Sequence, residues 1–182
     1  IRTLLNRLFK MRMNAWAFEN PSYKKASIQY SSFLNATGVL LCSVELLPGK
    51  MEKGISEFIA QQEQIFRYGF TRAEIERAKK VIYNNLENKL QNQQNPTSIE
   101  LMNDVYADFY VGNRFTSLQE EYQLVQLYFP EIDSVALARN LAKVYSPRKM
   151  HYLLRANEKA DKEVGGDMTL MAIIKEARKQ SL

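Results

Sequence analysis

Histidine and cysteine are nearly missing from this sequence: its 182 residues contain one of each, His151 and Cys42. A structural zinc site ordinarily takes four Cys or His ligands, and a catalytic one at least two His. The chain can build neither by itself. A single thiol closes no intrachain disulfide and leaves the redox compartment open. A Cys–His dyad would require Cys42 and His151 to meet. The common catalytic signatures are missing too: there is no Gly-rich phosphate loop, no GxSxG elbow, no HExxH and no HxxEH. Glu74 and Glu76 are two apart and diverge around a helix, and the adjacent Glu120 and Glu121 do the same. Neither makes a facing carboxylate pair. No run approaches the roughly 20 apolar residues that a membrane helix needs. Only seven glycines and five prolines occur, which argues against disorder.

What is present is an ordinary globular composition, 46% hydrophobic and 25% charged, long enough for one domain with a real core. The net charge of +5 allows weak attraction to anionic partners. The stretches IERAKK and EARKQ mix signs, however, and read as solvated helix faces. No segment interleaves basic and aromatic residues on one exposed surface, so no nucleic-acid partner is expected. Tyr106, Tyr110, Tyr122 and Tyr128 fall at helical spacing and read as core and core-edge residues. The first residue is isoleucine. The chain therefore reads as a piece of something larger, with any targeting signal upstream and the localisation open.

The sharpest local signal is YGFTRAEIERAKKVI, residues 68–82. Thr71 as N-cap and Glu74 three positions on form a capping box, with Phe70 and Ile75 placed for a hydrophobic staple. Gly69 suits the C′ position of the preceding helix, where a left-handed conformation costs least. Two helices should meet here with almost no loop. Thr97 with Glu100 and Ser117 with Glu120 repeat the box, and Asp133 can cap a further helix.

Around these marks, 2–14 reads as a basic amphipathic helix on Leu4, Leu5 and Leu8. Residues 24–34 and 39–47 alternate as strands, joined by a hairpin connection at Asn35–Gly38. Ala26, Ile28 and Tyr30 share one face of the first. Leu40, Cys42, Val44 and Leu46 share one face of the second, so Cys42 reads as a small apolar residue facing inward. Helices are expected at 50–68, 72–93, 98–111, 118–128, 134–145 and 168–181. The stripe of 98–111 is Met102, Val105, Tyr106 and Phe109, and that of 134–145 is Leu137, Ala138, Leu141 and Ala142. The polar end LQNQQN of the 72–93 helix should fray, and Gly112 should close the 98–111 helix. KMHYLLRA, 149–156, alternates as one more strand, which puts His151 on a strand face. Tandem strands, then helices, then another strand give a helix-rich α+β fold: an antiparallel sheet with helices packed on one face. Three strands make a thin sheet, so a further edge strand is expected from sequence before Ile1.

The segment RYGFTRAEIERAKKVIYNNLE is similar to one in insulinase/pitrilysin-type zinc peptidases, where a helix ends in glycine and the next opens on Thr with an acid three positions on. SVELLPGKMEKGISEFIAQQEQIF resembles the strand and long helix before it. EEYQLVQLYFPEIDSVALARNLAKVYSP resembles the family's acid–Tyr stretch and the helices that follow. The resemblance covers most of residues 1–156. It implies the metallopeptidase/processing-peptidase-like unit: a C-terminal-type domain over 1–156 lacking its beginning, then a charged linker and terminal amphipathic helix over 157–182. It further implies a non-catalytic domain that helps to enclose and position a peptide substrate beside other domains of the same polypeptide. Zinc is then expected in the catalytic domain of the parent, with no cofactor or metal ligand in this chain. A structural or assembly subunit of the same fold without peptidase activity is the alternative, and a helical adaptor unrelated to peptidases a third. The family places an Arg and a Tyr from its last unit near the active site. RLFKMRMNAWAF matches that pattern poorly and offers only Arg7 and Arg12 as substrate-binding candidates.

Overall fold

A computed structural model describes residues 1–19, 21–33, 37–92, 97–111, 116–146, 149–155, 162 and 165–180. Helix α1 (Arg2–Ala17) leads into a hairpin of β1 (Tyr23–Phe33) and β2 (Thr37–Leu46). Then come α2 (Met51–Tyr68), α3 (Arg72–Gln91), α4 (Ser98–Val111), α5 (Leu118–Tyr128), a 3-10 turn at Phe129–Glu131 and α6 (Ser134–Val144). Helix α7 (Gly166–Gln180) closes the described chain. The fold is α+β and helix-rich, as the sequence pattern predicts.

β1 and β2 pair antiparallel, with Ala26 opposite Val44, Ile28 opposite Cys42 and Tyr30 opposite Leu40. Alternation therefore turns the predicted apolar row to one side of the hairpin. There it meets α1 and α2. The main core gathers Leu4, Leu5, Leu8 and Phe9 of α1, Ile28 of β1, Phe58 and Ile65 of α2, Ile75, Ala78 and Leu86 of α3, and Leu137 and Leu141 of α6. A second cluster joins Met51, Ile55 and Ile59 of α2 to Ile173, Ile174 and Ala177 of α7. α2 thus carries apolar residues on two sides and sits between the two clusters.

The joint after α2 forms as its sequence dictates. Gly69 has φ +67° and ψ −142°, a conformation open essentially to glycine alone and extended rather than left-handed helical. Its N–H still closes the last turn on the Ile65 carbonyl, 2.8 Å away. Phe70 and Ile75 are both buried in the main core.

Three expectations are corrected. Residues 149–155 carry no strand, and the sheet has two strands among the described residues. Tyr152 and Leu154 do face inward in alternation, but they pack on the α2–α7 cluster beside Leu46. Alternation reports which side chains are buried, and a ladder also needs a backbone partner. The tyrosines Tyr106, Tyr110 and Tyr128 are exposed, and Tyr122 alone of the four is half-buried. Met102, Val105 and Phe109 are exposed with them, because α4 makes no substantial packing contact with another described element. In α6, Leu137 and Leu141 are buried but Ala138 and Ala142 are exposed, so that stripe is one residue wide. Of the end LQNQQN, 90–95, expected to fray, Leu90 and Gln91 are still helical and Asn92 is the C-cap, and of the expected connection 35–38, Thr37 and Gly38 belong to β2; the rest of both, the closure at Gly112 and most of the 157–165 linker lie outside the described residues.

Candidate functional site

The helices leave one face of the hairpin uncovered. Lys25, Ser27 and Gln29 stand there opposite Glu45, Ser43 and Leu41. The Ser27 and Ser43 hydroxyls are 2.8 Å apart, and Lys24 pairs with Glu45 at 2.7 Å. Lys25, Ser27, Ser43 and Glu45 line a shallow groove on this face. Small polar side chains here leave the pleat accessible.

The two edges of the hairpin differ. On β1, the Asn6 side chain donates to the Tyr30 carbonyl (2.8 Å) and accepts from the Tyr30 N–H (2.7 Å). An amide side chain from α1 thus takes the place of a neighbouring strand. Because the outward groups of Tyr30 are bonded to Asn6, Tyr30 and Leu40 form a non-hydrogen-bonded pair of the ladder. Leu40, Cys42 and Val44 therefore turn their backbone groups to the far edge of β2. No strand pairs with that edge among the described residues.

The structure places Arg12 in an ion pair within the chain. Its Nε donates to Glu74 Oε1 at 2.7 Å and its Nη2 to Oε2 at 2.6 Å, a bidentate clamp from α1 onto the start of α3. The guanidinium lies 5.4 Å from the centroid of Phe70 and 5.6 Å from that of Trp16. Glu74 also accepts from the Thr71 N–H and hydroxyl, both at 2.8 Å. Burial works to raise the Glu74 pKa, but the bonds from Arg12 and Thr71 outweigh it and hold the carboxyl below its usual range. Arg7 is half-buried, and its Nε–H, fully buried, has no hydrogen-bond partner among the described residues. The two arginines are therefore not one site: one is paired, and the other presents an unsatisfied donor.

A second polar assembly escaped the sequence reading. Glu63 of α2 is 3% exposed, yet it is ionisable. Tyr145, just after α6, donates its hydroxyl to Glu63 Oε1. Arg178 of α7 approaches Oε1 to 3.0 Å, and Arg67 donates to Oε2 at 3.3 Å. Arg178 also reaches the Tyr152 hydroxyl at 2.5 Å. The Tyr145 ring stacks on Phe66 at 4.0 Å with 8° between planes. Burial, then the hydrogen bond to Glu63, push the Tyr145 hydroxyl well above its ordinary range. With both oxygens engaged, Glu63 acts as an anchor for four chain segments. Its signal was available: it lies four residues after Ile59 and eight after Ile55, on the buried stripe of α2.

The lone histidine and thiol can be placed as well. His151 is exposed in the unpaired 149–155 segment. Cys42 is half-buried on β2, and burial pushes its thiol up to about 12, so it is protonated at neutral pH. Among the described residues no three His, Cys, Asp or Glu side chains gather as a metal would need. The residues present do not fit a zinc ion. No helix of the described chain is long and apolar enough to cross a membrane.

No protein-family profile matches the sequence, and no curated protein does. Solved structures do match. The periplasmic protease PqqL from Escherichia coli superposes over 98% of this chain with a TM-score of 0.79 and 20% identity. A structure of the first half of that protease gives 0.80, again over 98% of the chain at 20% identity. A predicted insulinase family protease from Yersinia pestis gives 0.65 over 97% at 12% identity. The chain spans 20% of the first of these, 39% of the second and 38% of the third. At such identities the likeness is one of fold, and it covers only part of each of these longer proteins.

Proposed function

We propose that the chain is a non-catalytic domain of an insulinase-like zinc metallopeptidase, one that helps to enclose and position the peptide. The observation that carries this reading is the fold likeness over 98% of the chain to part of a periplasmic protease. The composition is in keeping with it: with one histidine and one cysteine, the chain cannot by itself supply the His and Cys ligands of a usual zinc site. Zinc, and the hydrolysis that depends on it, would belong to another domain of the same polypeptide.

This domain's own residues can hold a chain without cutting it. The uncovered hairpin face offers Ser27, Ser43 and Gln29 to polar groups of an extended peptide. The edge of β2 that no described strand pairs with would offer backbone donors and acceptors, the main chemistry by which an extended segment is recognised without regard to sequence. Arg7, half-buried on α1, remains a candidate contact, and Arg12 contributes by fixing the α1–α3 joint.

The test is direct. The isolated 182-residue chain should show no chelator-sensitive cleavage of a quenched fluorescent peptide, and the full polypeptide should show it. Chelator-sensitive cleavage by the isolated chain would overturn the non-catalytic assignment. A full polypeptide that lacks HxxEH and cleaves nothing would replace it with the structural-subunit reading.

A further inference from the structure

Helix α4 is the least buried element of the chain and among its most apolar. Seven of its 14 residues are large apolar side chains left exposed: Ile99 (68%), Leu101, Met102, Val105, Tyr106, Phe109 (75%) and Tyr110. At 100° per residue, Leu101, Val105, Phe109, Met102, Tyr106, Ile99 and Tyr110 sweep one half of the helix. Asp108 and Asp104, spaced by four, form a short acidic row beyond the Leu101 border of that half, while Glu100 lies behind it and serves the helix cap with Thr97. α4 carries no base. The charge pattern extends beyond it. Residues 97–133 hold seven acids and one base, whereas the rest of the chain holds 24 bases and 13 acids. The modest net charge of +5 conceals an acidic, aromatic segment joined to a strongly basic body.

An apolar face this size left bare in water is an association site or an aggregation hazard. The α4 of a second copy does not suit it. Two α4 helices packed antiparallel would set acidic row against acidic row, and packed parallel they would offer that row no base. What fits is the complement: a stripe of apolar residues bordered by Lys or Arg, presented by a helix of similar length, about 21 Å. The cover should also be permanent, because seven large apolar side chains exposed between encounters would drive association. The solved proteases that share this fold continue well beyond it, since this chain spans 20% and 39% of two of them.

We propose that α4 is an interdomain docking helix, covered by a basic amphipathic helix of an adjoining domain of the same polypeptide. The proposal rests on the preceding reading only in placing this chain within a longer polypeptide. It requires no peptidase activity of that polypeptide.

The experiment uses the full-length polypeptide with the photo-reactive residue benzoylphenylalanine at Met102 or Phe109, cross-links being mapped by mass spectrometry. The expected result is a cross-link from both positions to one segment outside residues 1–182 that combines apolar residues with Lys or Arg. Asp104→Lys should lower the docking constant about fivefold, as for a lost border charge pair of about 1 kcal/mol, read as loss of the cross-link at lower urea, and Asp104→Asn should lower it less. Cross-links confined to residues 1–182 of the same molecule, links to a second copy, links to a segment without bases, or no link at all would each overturn the proposal. A polypeptide that gives the expected cross-link but cleaves no peptide would sink the peptidase reading and leave this one standing.

Discussion

Arg12 and Glu74 show how one pair can hold a tertiary joint and a helix start together. Glu74 closes the capping box of α3 and at the same time receives the bidentate clamp from α1. Thr71→Ala should cost about 1 kcal/mol, as loss of an N-cap does. The cycle of Arg12→Ala and Glu74→Gln should show a coupling of about 1 kcal/mol, since both side chains remain partly exposed and water screens the pair. The pH dependence has a definite sign. The folded-state pKa of Glu74 is depressed, so its contribution is present above about pH 4.5 and fades as pH falls through the lowered folded value. Urea unfolding of the wild type and Glu74→Gln from about pH 6 down to about pH 3 should show their stabilities converging. A gap that stays constant would mean that the carboxylate's charge contributes nothing. The cap was legible in the sequence because it is a contract between residues three apart. Its partner Arg12 lies 62 positions away, and the same sequence gave it a substrate-binding reading instead. Gly69 was recognised as a glycine position, though its ψ belongs to the extended region that the sequence did not distinguish from the helical one.

The elements divide by whether their burial is settled locally. α2, α3 and the hairpin were legible because each repeats its apolar residues with the right period over ten residues or more. Residues 149–155 carry the strand period without a ladder, since no sequence period specifies a neighbouring edge. The same limit misplaced the tyrosines of α4: an amphipathic stripe says that a face seeks cover, not which element covers it. α7 is the positive counterpart. Its stripe lands on α2, where Ile174 is 1% exposed, and Arg178 joins Glu63. Ile174→Ala should therefore cost about 2–4 kcal/mol by chemical denaturation. Glu63→Gln should cost about 3 kcal/mol, because it leaves two partly buried arginines beside a buried neutral amide. Tyr145→Phe should cost less, about 1–2 kcal/mol, for one hydrogen bond to a charged acceptor. If Tyr145→Phe proved the more damaging of the last two, the charge of Glu63 would not be what holds α7 down.

At the scale of the molecule, stability should be graded from the clusters outward. The residues with near-zero exposure are concentrated in α1, α2, α3 and α6, with Ile174 joining from α7, and these elements contact one another or the hairpin. α4 makes no substantial contact of this kind among the described residues. A helix of 14 residues without tertiary support is marginal in water, even with a capping box such as Thr97 and Glu100 provide. Amide hydrogen exchange on the isolated 182-residue chain should then rank the elements. Core amides of α2 and α3 should open only with global unfolding, whereas those of α4 should open by local events at a small fraction of that free energy. Denaturant should separate the two classes: α2 and α3 rates should follow the global transition, while α4 rates should change little, because fraying of an unsupported helix exposes little new surface. Slow, denaturant-sensitive exchange throughout α4 would show that this chain alone supplies its cover. That result would return Met102, Tyr106 and Phe109 to an intramolecular core, and the acidic segment would then be balancing the basic body of its own molecule.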